Sequence, residues 1–266
     1  MKAGYLQFYP KFGDTDFNIK KVEQLLKDSS FKLLVLPELA NSGYLFSSEK
    51  ELMESSEPVP DGKFCKFLRR LSRDKQAYIV SGLCERGGND FYNSSVLVSP
   101  GGEINTYRKI QLFNDEKNWF KPGNLPLNVY EISSGDEKVK IGMMVCFDWI
   151  FPEVARTLAL KGAQIICHPA NLVMPYCQDA MVTRALENHV FTITANRIGK
   201  ENNGGKELYF TGMSEIVNPK GKILSKSPEQ TEECVIIDID PKESLDKFIN
   251  LNNDLFADRR EEFYFK

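Results

Sequence analysis

Three side chains able to do covalent chemistry together, Glu38, Lys109 and Cys146, each stand directly after an apolar or alternating run. Strand-sized runs that end on reactive residues matter because α/β proteins gather ligand-binding groups at the carboxyl ends of their strands. A thiol attacks carbon only as thiolate, and a neighbouring cation lowers its pKa. An ammonium at Lys109 would therefore give Cys146 the field that a histidine gives elsewhere. A carboxylate at Glu38 could take the thiol proton, return it to a departing amine and later activate water. An oxyanion would then need the Lys109 ammonium and the backbone N–H after the nucleophile, that of Phe147; one such donor contributes about 3 to 4 kcal/mol. Singly, each residue also has an ordinary structural reading: Glu38 capping a loop, Lys109 solvated, and Cys146 as a small buried hydrophobe.

His168 offers a rival arrangement, because imidazole is the commonest activator of a cysteine and this one lies 22 positions after Cys146. Followed by Pro169 at a strand end, it is expected to be hydrogen-bonded scaffold. His189, in a helical segment, is expected at the surface or in packing. Gly204-Gly205-Lys206 resembles a phosphate loop only in its glycines, since Glu207 replaces the hydroxyl residue, and it reads as an exposed hairpin.

The elements that must position these groups follow from periodicity. Lys2 to Phe8 reads as a strand, and Asp14 or Asp16 can cap a helix carrying Ile19, Val22, Leu25 and Leu26. Phe31 to Leu36 is a short buried strand stopped by Pro37. Gly62 to Lys75 is helical, and Tyr78 to Leu83 begins a three-stranded meander, turning at Gly87-Gly88-Asn89-Asp90 and Pro100-Gly101-Gly102, that ends near Tyr107. After a polar loop, Val139 to Val145 is a strand delivering Cys146. Pro152 then opens a helix that stops near Gly162. A strand from Gln164 to Cys167, a helix from about Asp179 to His189, a strand from Val190 to Ala195, a hairpin at Asn218-Pro219-Lys220-Gly221 and a strand from Cys234 to Ile239 follow. This alternation predicts an α/β protein with a mixed sheet, or two stacked sheets, covered by helices.

No linker-like composition interrupts the 266 residues, so one domain over 1–266 is expected. Apolar residues at 42% and charged residues at 27% are enough for a large core without metal or disulfide staples. The six cysteines lie far apart with no CxxC pair and no zinc spacing, which predicts free cytosolic thiols and no metal. The N-terminus shows no export signal and no apolar run reaches the ~18 residues of a membrane helix, so a soluble, cytoplasmic chain with no membrane partner is expected. A net charge of −3 argues against nucleic acid, whose binding rests on clustered Lys and Arg. The tail from about 250 to 266, containing Asp258-Arg259-Arg260-Glu261-Glu262-Phe263-Tyr264-Phe265, is too aromatic to be free and is expected to pack on the body or on a neighbouring subunit.

Leu36-Pro37-Glu38-Leu39, Tyr107-Arg108-Lys109-Ile110-Gln111-Leu112-Phe113 and Gly142-Met143-Met144-Val145-Cys146-Phe147-Asp148-Trp149 resemble, in order and spacing, the three motifs of the nitrilase (carbon–nitrogen hydrolase) superfamily. The likeness extends over nearly the whole chain through Phe151-Pro152-Glu153, Arg156, Arg184 to Asn188, Ala195-Asn196-Arg197 and the Arg-Arg-Glu-Glu tail. It implies a four-layer αββα sandwich, pairing into homodimers or larger assemblies, no cofactor, and hydrolysis of a non-peptide carbon–nitrogen bond. It also implies a second glutamate after the lysine, which Glu116 matches, to hold Lys109 or position substrate; the bland alternative is a solvated loop residue. Phe147-Asp148 resembles the amidase and carbamoylase branches, so a small amide is the expected substrate, with a small aliphatic nitrile or an N-carbamoyl compound as alternatives. Tyr44 and Asn171 are expected in the pocket wall, Tyr44 for shape and Asn171 for a polar group of the substrate. A non-catalytic binder of the same fold is the reading from another class, disfavoured by retention of all three reactive residues.

Overall fold

The computed structural model describes residues 1–264; Phe265 and Lys266, the end of the aromatic tail, lie outside the described residues. In chain order the elements are β1 (Lys2–Gln7), α1 (Thr15–Leu26), β2 (Leu33–Val35), α2 (Glu49–Ser55), α3 (Lys63–Lys75), β3 (Tyr78–Gly87), β4 (Asp90–Val98), β5 (Ile104–Arg108), α4 (Glu116–Trp119), β6 (Val129–Ser134), β7 (Glu137–Met143), α5 (Pro152–Leu160), β8 (Ile165–Ala170), α6 (Cys177–Asn188), β9 (Phe191–Asn196), β10 (Ile198–Asn203), β11 (Lys206–Thr211), β12 (Glu215–Val217), β13 (Ile223–Lys226), β14 (Glu233–Asp238), β15 (Phe248–Asn250) and β16 (Asn253–Asp254).

Two six-stranded mixed sheets form, one in the order β14-β1-β2-β3-β4-β5 and the other β13-β12-β9-β8-β7-β6. Their inner faces meet in one core: Ala3, Tyr5, Val35, Val80 and Leu97 of the first sheet pack with Ile141, Ile166 and Ile193 of the second. The outer face of the first sheet is closed by Val22, Leu26, Phe64 and Leu68 from α1 and α3. The outer face of the second is closed by Val154, Leu158 and Met181 from α5 and α6. Helix, sheet, sheet, helix is the four-layer order, and each apolar face finds a partner.

Local signals decide the elements as expected in most places. The Asp14 side chain accepts from the Phe17 N–H and so caps α1. Pro152 stands in the first turn of α5. The Gly204-Gly205 segment joins β10 to β11 as a hairpin. Several elements were not anticipated, among them the one-turn helix α4 after Lys109 and the short antiparallel pair β15–β16. Val129–Ser134, read as polar loop, is an edge strand paired antiparallel with β7, and only its Ile132 is fully buried. Glu49–Ser55 is a short helix whose first turn is capped by Ser48. The strand before the nucleophile also ends earlier than expected, at Met143, because the backbone must leave the sheet to form the 3₁₀ turn Cys146–Ile150.

All six cysteines are free thiols. Among the described residues no helix is long and apolar enough to cross a membrane, and no group of three or more His, Cys, Asp or Glu is placed to hold a metal ion. The tail is split in its contacts. Phe256 packs against the main core, with Lys247 and Arg156 over its ring at 4.9 and 5.4 Å. Phe248, Ile249, Leu251 and Phe263 point outward, and Leu251 is 97% exposed.

Candidate active site

Glu38 leaves β2 after Pro37, and its backbone lies so close to β3 that a Cβ at Gly82 would stand 2.4 Å from the Glu38 Cα. Only glycine permits that approach. Lys109 follows β5 and is pinned by its N–H donating to the Asn93 carbonyl on β4 at 2.8 Å. Cys146 opens the 3₁₀ turn with φ of +39°, a conformation disfavoured for any residue with a Cβ, so the turn that presents the sulfur is held under strain. Phe147 is the second residue of that turn, where a backbone N–H has no partner within the turn.

The structure brings the expected residues together. Lys109 is fully buried, and its Nζ donates to Glu38 Oε1 and to Glu116 Oε1, each at 2.8 Å. Glu116 is buried rather than solvated. Its Oε1 also accepts from the Tyr44 hydroxyl at 2.8 Å, and its Oε2 accepts from the Phe113 N–H at 3.2 Å. Glu38 Oε1 accepts a second bond, from Asn93 Nδ2 at 2.7 Å, while Glu38 Oε2 is buried with no hydrogen-bond partner among the described residues. One carboxylate oxygen is thus fully engaged and the other is available for a proton.

The electrostatics correct one step of the sequence argument. Burial opposes the Lys109 ammonium, but the carboxylates of Glu116 and Glu38 outweigh it and hold the amine above its ordinary range. For Cys146 the balance is reversed. Burial and the charge of Glu38 push the thiol well above its usual value, against the pull of Lys109 and the Asn171 N–H bonded to the sulfur. The resting sulfur is therefore a thiol, because Lys109 brings two anions with it, and its proton must leave as the reaction starts. Burial likewise raises Glu116, with Lys109 opposing.

His168 is scaffold, as expected. Burial lowers its pKa to about 4, so it is neutral near pH 7. Its Nε2 lies 2.9 Å from the Cys146 carbonyl and its Nδ1 3.1 Å from Thr194 Oγ1. A carbonyl only accepts, so Nε2 carries the proton and the threonine hydroxyl donates to Nδ1. His168 braces the strained turn through its backbone. His189 is packed at the end of α6, its Nδ1 2.9 Å from the Asp246 carbonyl.

Further residues, to which the sequence assigned no positioning role, hold the cluster in place. Asp148 accepts from the Tyr107 hydroxyl at 2.7 Å, the Val145 N–H at 2.9 Å and the Gln111 N–H at 3.2 Å, tying the Cys146 turn to both sides of Lys109. Burial raises this carboxyl to about 6 despite those donors. Arg197 and Glu201 form a buried pair at 2.6 Å, and Glu201 accepts from the Tyr44 N–H at 2.9 Å and from the Leu45 N–H. Arg197 lies 4.0 Å above the Phe210 ring, which contacts Tyr44 edge-on. The turn carrying Tyr44 is thereby fixed on two sides.

A chamber of about 20 Å³ abuts Cys146, walled by Phe113, Phe147, Trp149, Asn171, Leu172 and neighbouring residues. Phe147 and Asn171 line it. Tyr44 does not; it lines an adjoining cavity of about 380 Å³, with its hydroxyl committed to Glu116.

Residues 2–244 match the carbon-nitrogen hydrolase family. The chain is 46% identical, over the full length of both proteins, to a protein named nitrilase from Pyrococcus abyssi (strain GE5 / Orsay). Among solved structures it is similar to a carbon-nitrogen hydrolase from Helicobacter pylori G27, with TM-score 0.83, 27% identity, and 99% of this chain and 97% of that one covered. It is also similar to a mutant of the amidase from Nesterenkonia sp. AN1 that shows the result of Michael addition of acrylamide at the active site cysteine, with TM-score 0.79, 26% identity, and 98% and 97% covered. Family match, four-layer fold and the buried cluster of acid, ammonium and thiol agree: this chain is an enzyme of the carbon-nitrogen hydrolase family.

Proposed function

We propose that the enzyme cleaves the carbon–nitrogen bond of a small amide through a thioester on Cys146, releasing ammonia and a carboxylic acid. The observation that carries this reading is the unpartnered Glu38 Oε2 in a cluster where every other carboxylate oxygen of Glu38 and Glu116 is already bonded. Glu38 takes the thiol proton as the sulfur bonds to the carbonyl carbon. The oxyanion is met by the Lys109 ammonium and the Phe147 N–H. Glu38 then gives the proton to the nitrogen, the carbon–nitrogen bond breaks and ammonia leaves. Water attacks the thioester and passes its proton to Glu38; the carbon–sulfur bond breaks, the acid departs and the thiol is restored. Glu116 holds Lys109, Tyr44 holds Glu116, and Asn171 and Phe147 meet the substrate. The Pyrococcus likeness favours a second reading, a nitrile, in which attack gives a thioimidate that adds water and loses ammonia to reach the same thioester.

Ammonia release across short amides, nitriles and N-carbamoyl compounds, read with intact-mass detection of an acyl adduct on Cys146, tests the reaction class. His168→Ala is expected to slow alkylation of Cys146 by iodoacetamide only a few-fold, since it loosens the turn without touching the proton path, whereas Lys109→Met should suppress it. The reverse pattern would mean a Cys–His enzyme.

The chain acts as one domain over 1–266, on the support that β1 near its start pairs with β14 near its end, and six free thiols fit a cytoplasmic setting. We further propose that it forms a homodimer in which the outward tail is covered. A groove of about 1270 Å³ between α6 and the tail presents Leu186, Phe248, Ile249 and Leu251 to solvent as one contiguous apolar patch, the kind of surface that marks a contact site. Sedimentation should give a dimer for the wild type and a monomer for Leu251→Asp combined with Phe248→Asp; identical profiles would place the contact elsewhere.

A further inference from the structure

The chamber beside Cys146 holds about one water's volume, and Asn171 is the one carboxamide in its mostly apolar wall. That residue is 2% exposed, and both its Oδ1 and Nδ2 lack a hydrogen-bond partner among the described residues. Leaving a buried polar atom without its hydrogen bond is costly, so an orphaned carboxamide calls for an occupant. Its backbone leaves it little freedom: it directly follows β8, and the next N–H, of Leu172, donates to Asn196 Oδ1 at 2.9 Å. In the proposed reaction the substrate's carbonyl oxygen goes to Lys109 and the Phe147 N–H, and its nitrogen to Glu38. The Asn171 side chain remains for the acyl substituent.

Resting on that reaction, we infer that Asn171 selects a short, uncharged acyl group carrying a hydroxyl or carboxamide next to the reacting carbon. Only such groups answer a donor and an acceptor at once; an ether or a halogen answers the donor alone. Charge is excluded from both sides. Lys109 faces two carboxylates, so the cluster is already net negative and a substrate carboxylate would be buried without a cation. A substrate ammonium would be stripped of water against Phe113, Leu172 and Met174, and the one Glu38 or Glu116 oxygen without a partner among the described residues, Glu38 Oε2, is the one the reaction needs for its proton.

The experiment compares glycolamide with its methyl isostere propionamide, and glycolonitrile with propionitrile, by ammonia release from the full-length enzyme. Malonamate and glycinamide serve as the anionic and cationic comparators. Wild type should favour the hydroxyl-bearing member of the turned-over pair at least about tenfold in kcat/KM, since a site built to bond a hydroxyl rejects the analogue lacking it. Asn171→Leu should collapse that ratio by the same factor. Because a ratio is read, the intrinsic reactivity of glycolamide cancels between enzymes. Asn171→Ser, which removes the reach of the carboxamide with a smaller change in volume, must move the ratio the same way if the leucine variant fails to fold. An unchanged ratio, preference for malonamate or glycinamide, or failure to turn over either neutral pair overturns the inference. Inertness towards every amide, nitrile and N-carbamoyl compound would instead overturn the reaction itself.

Discussion

Glu38→Gln should lower ammonia release by about 10³- to 10⁴-fold while leaving the fold intact. The substitution is nearly isosteric. A glutamine Oε1 can still accept from Lys109 and Asn93, and its Nε2 takes the place of an oxygen that has no partner. What disappears is the proton acceptor. A second consequence separates this role from simple electrostatics. The Glu38 charge is one of the causes that raise the Cys146 thiol, so removing it should let thiolate form at lower pH than in the wild type. Turnover should therefore collapse although the sulfur is easier to ionise, a combination visible by pairing steady-state rates with the pH dependence of alkylation. Cys146→Ala, which deletes the nucleophile, sets the floor. A Glu38→Gln rate within tenfold of wild type would remove Glu38 from the proton path.

Lys109→Met is expected to damage both chemistry and stability. It leaves Glu38 and Glu116 buried without their shared cation, and breaking such a group typically costs about 3 to 5 kcal/mol. The cost should depend on pH with a definite sign. Without the ammonium, the largest offset to the burial and the Glu38 charge that raise the Glu116 carboxyl is gone, so its folded-state pKa stands still further above its unfolded value. Stability is then retained at pH low enough to protonate Glu116 and lost as pH rises through its raised pKa. Denaturant unfolding at pH 5 and pH 8 should show the variant falling further below wild type at the higher pH. Turnover should be lost at either pH, since no cation meets the oxyanion. Equal deficits at both pH values would show that the two carboxyls are not coupled through this amine.

The reactive residues were legible because each interrupts a hydrophobic pattern at a point where a strand must end. Pro37 before Glu38 and the run Val139 to Val145 before Cys146 are local signals, and local signals survive in one dimension. Glu116 carried none; only the motif likeness marked it, and its burial comes from a bond network with Tyr44, 72 residues away. Asp148 and Tyr107 stood only within the motifs, and their positioning role was not legible because their bond spans 41 residues and neither breaks a periodicity. Asn93 had a fainter signal: Asn93-Ser94-Ser95 is a polar triplet inside a strand whose neighbours are apolar, and all three prove buried. The thiol's protonation also eluded sequence logic, which weighed the pull of the cation and set neither burial nor the charges of Glu38 and Glu116 against it. β6 was lost because an edge strand half open to water has no reason to be apolar.

The partnership of Arg197 and Glu201 with the Tyr44 turn, together with the pairing of β1 against β14, bears on biosynthesis. A ribosome making this chain presents the acid, the amine and the sulfur in turn, yet the clamp that seats Tyr44 and the strand that seals the first sheet are translated long after all three. Such distant closures make for slow maturation. They also mean that an interrupted translation product ending before β14 would carry every reacting group and still be inert.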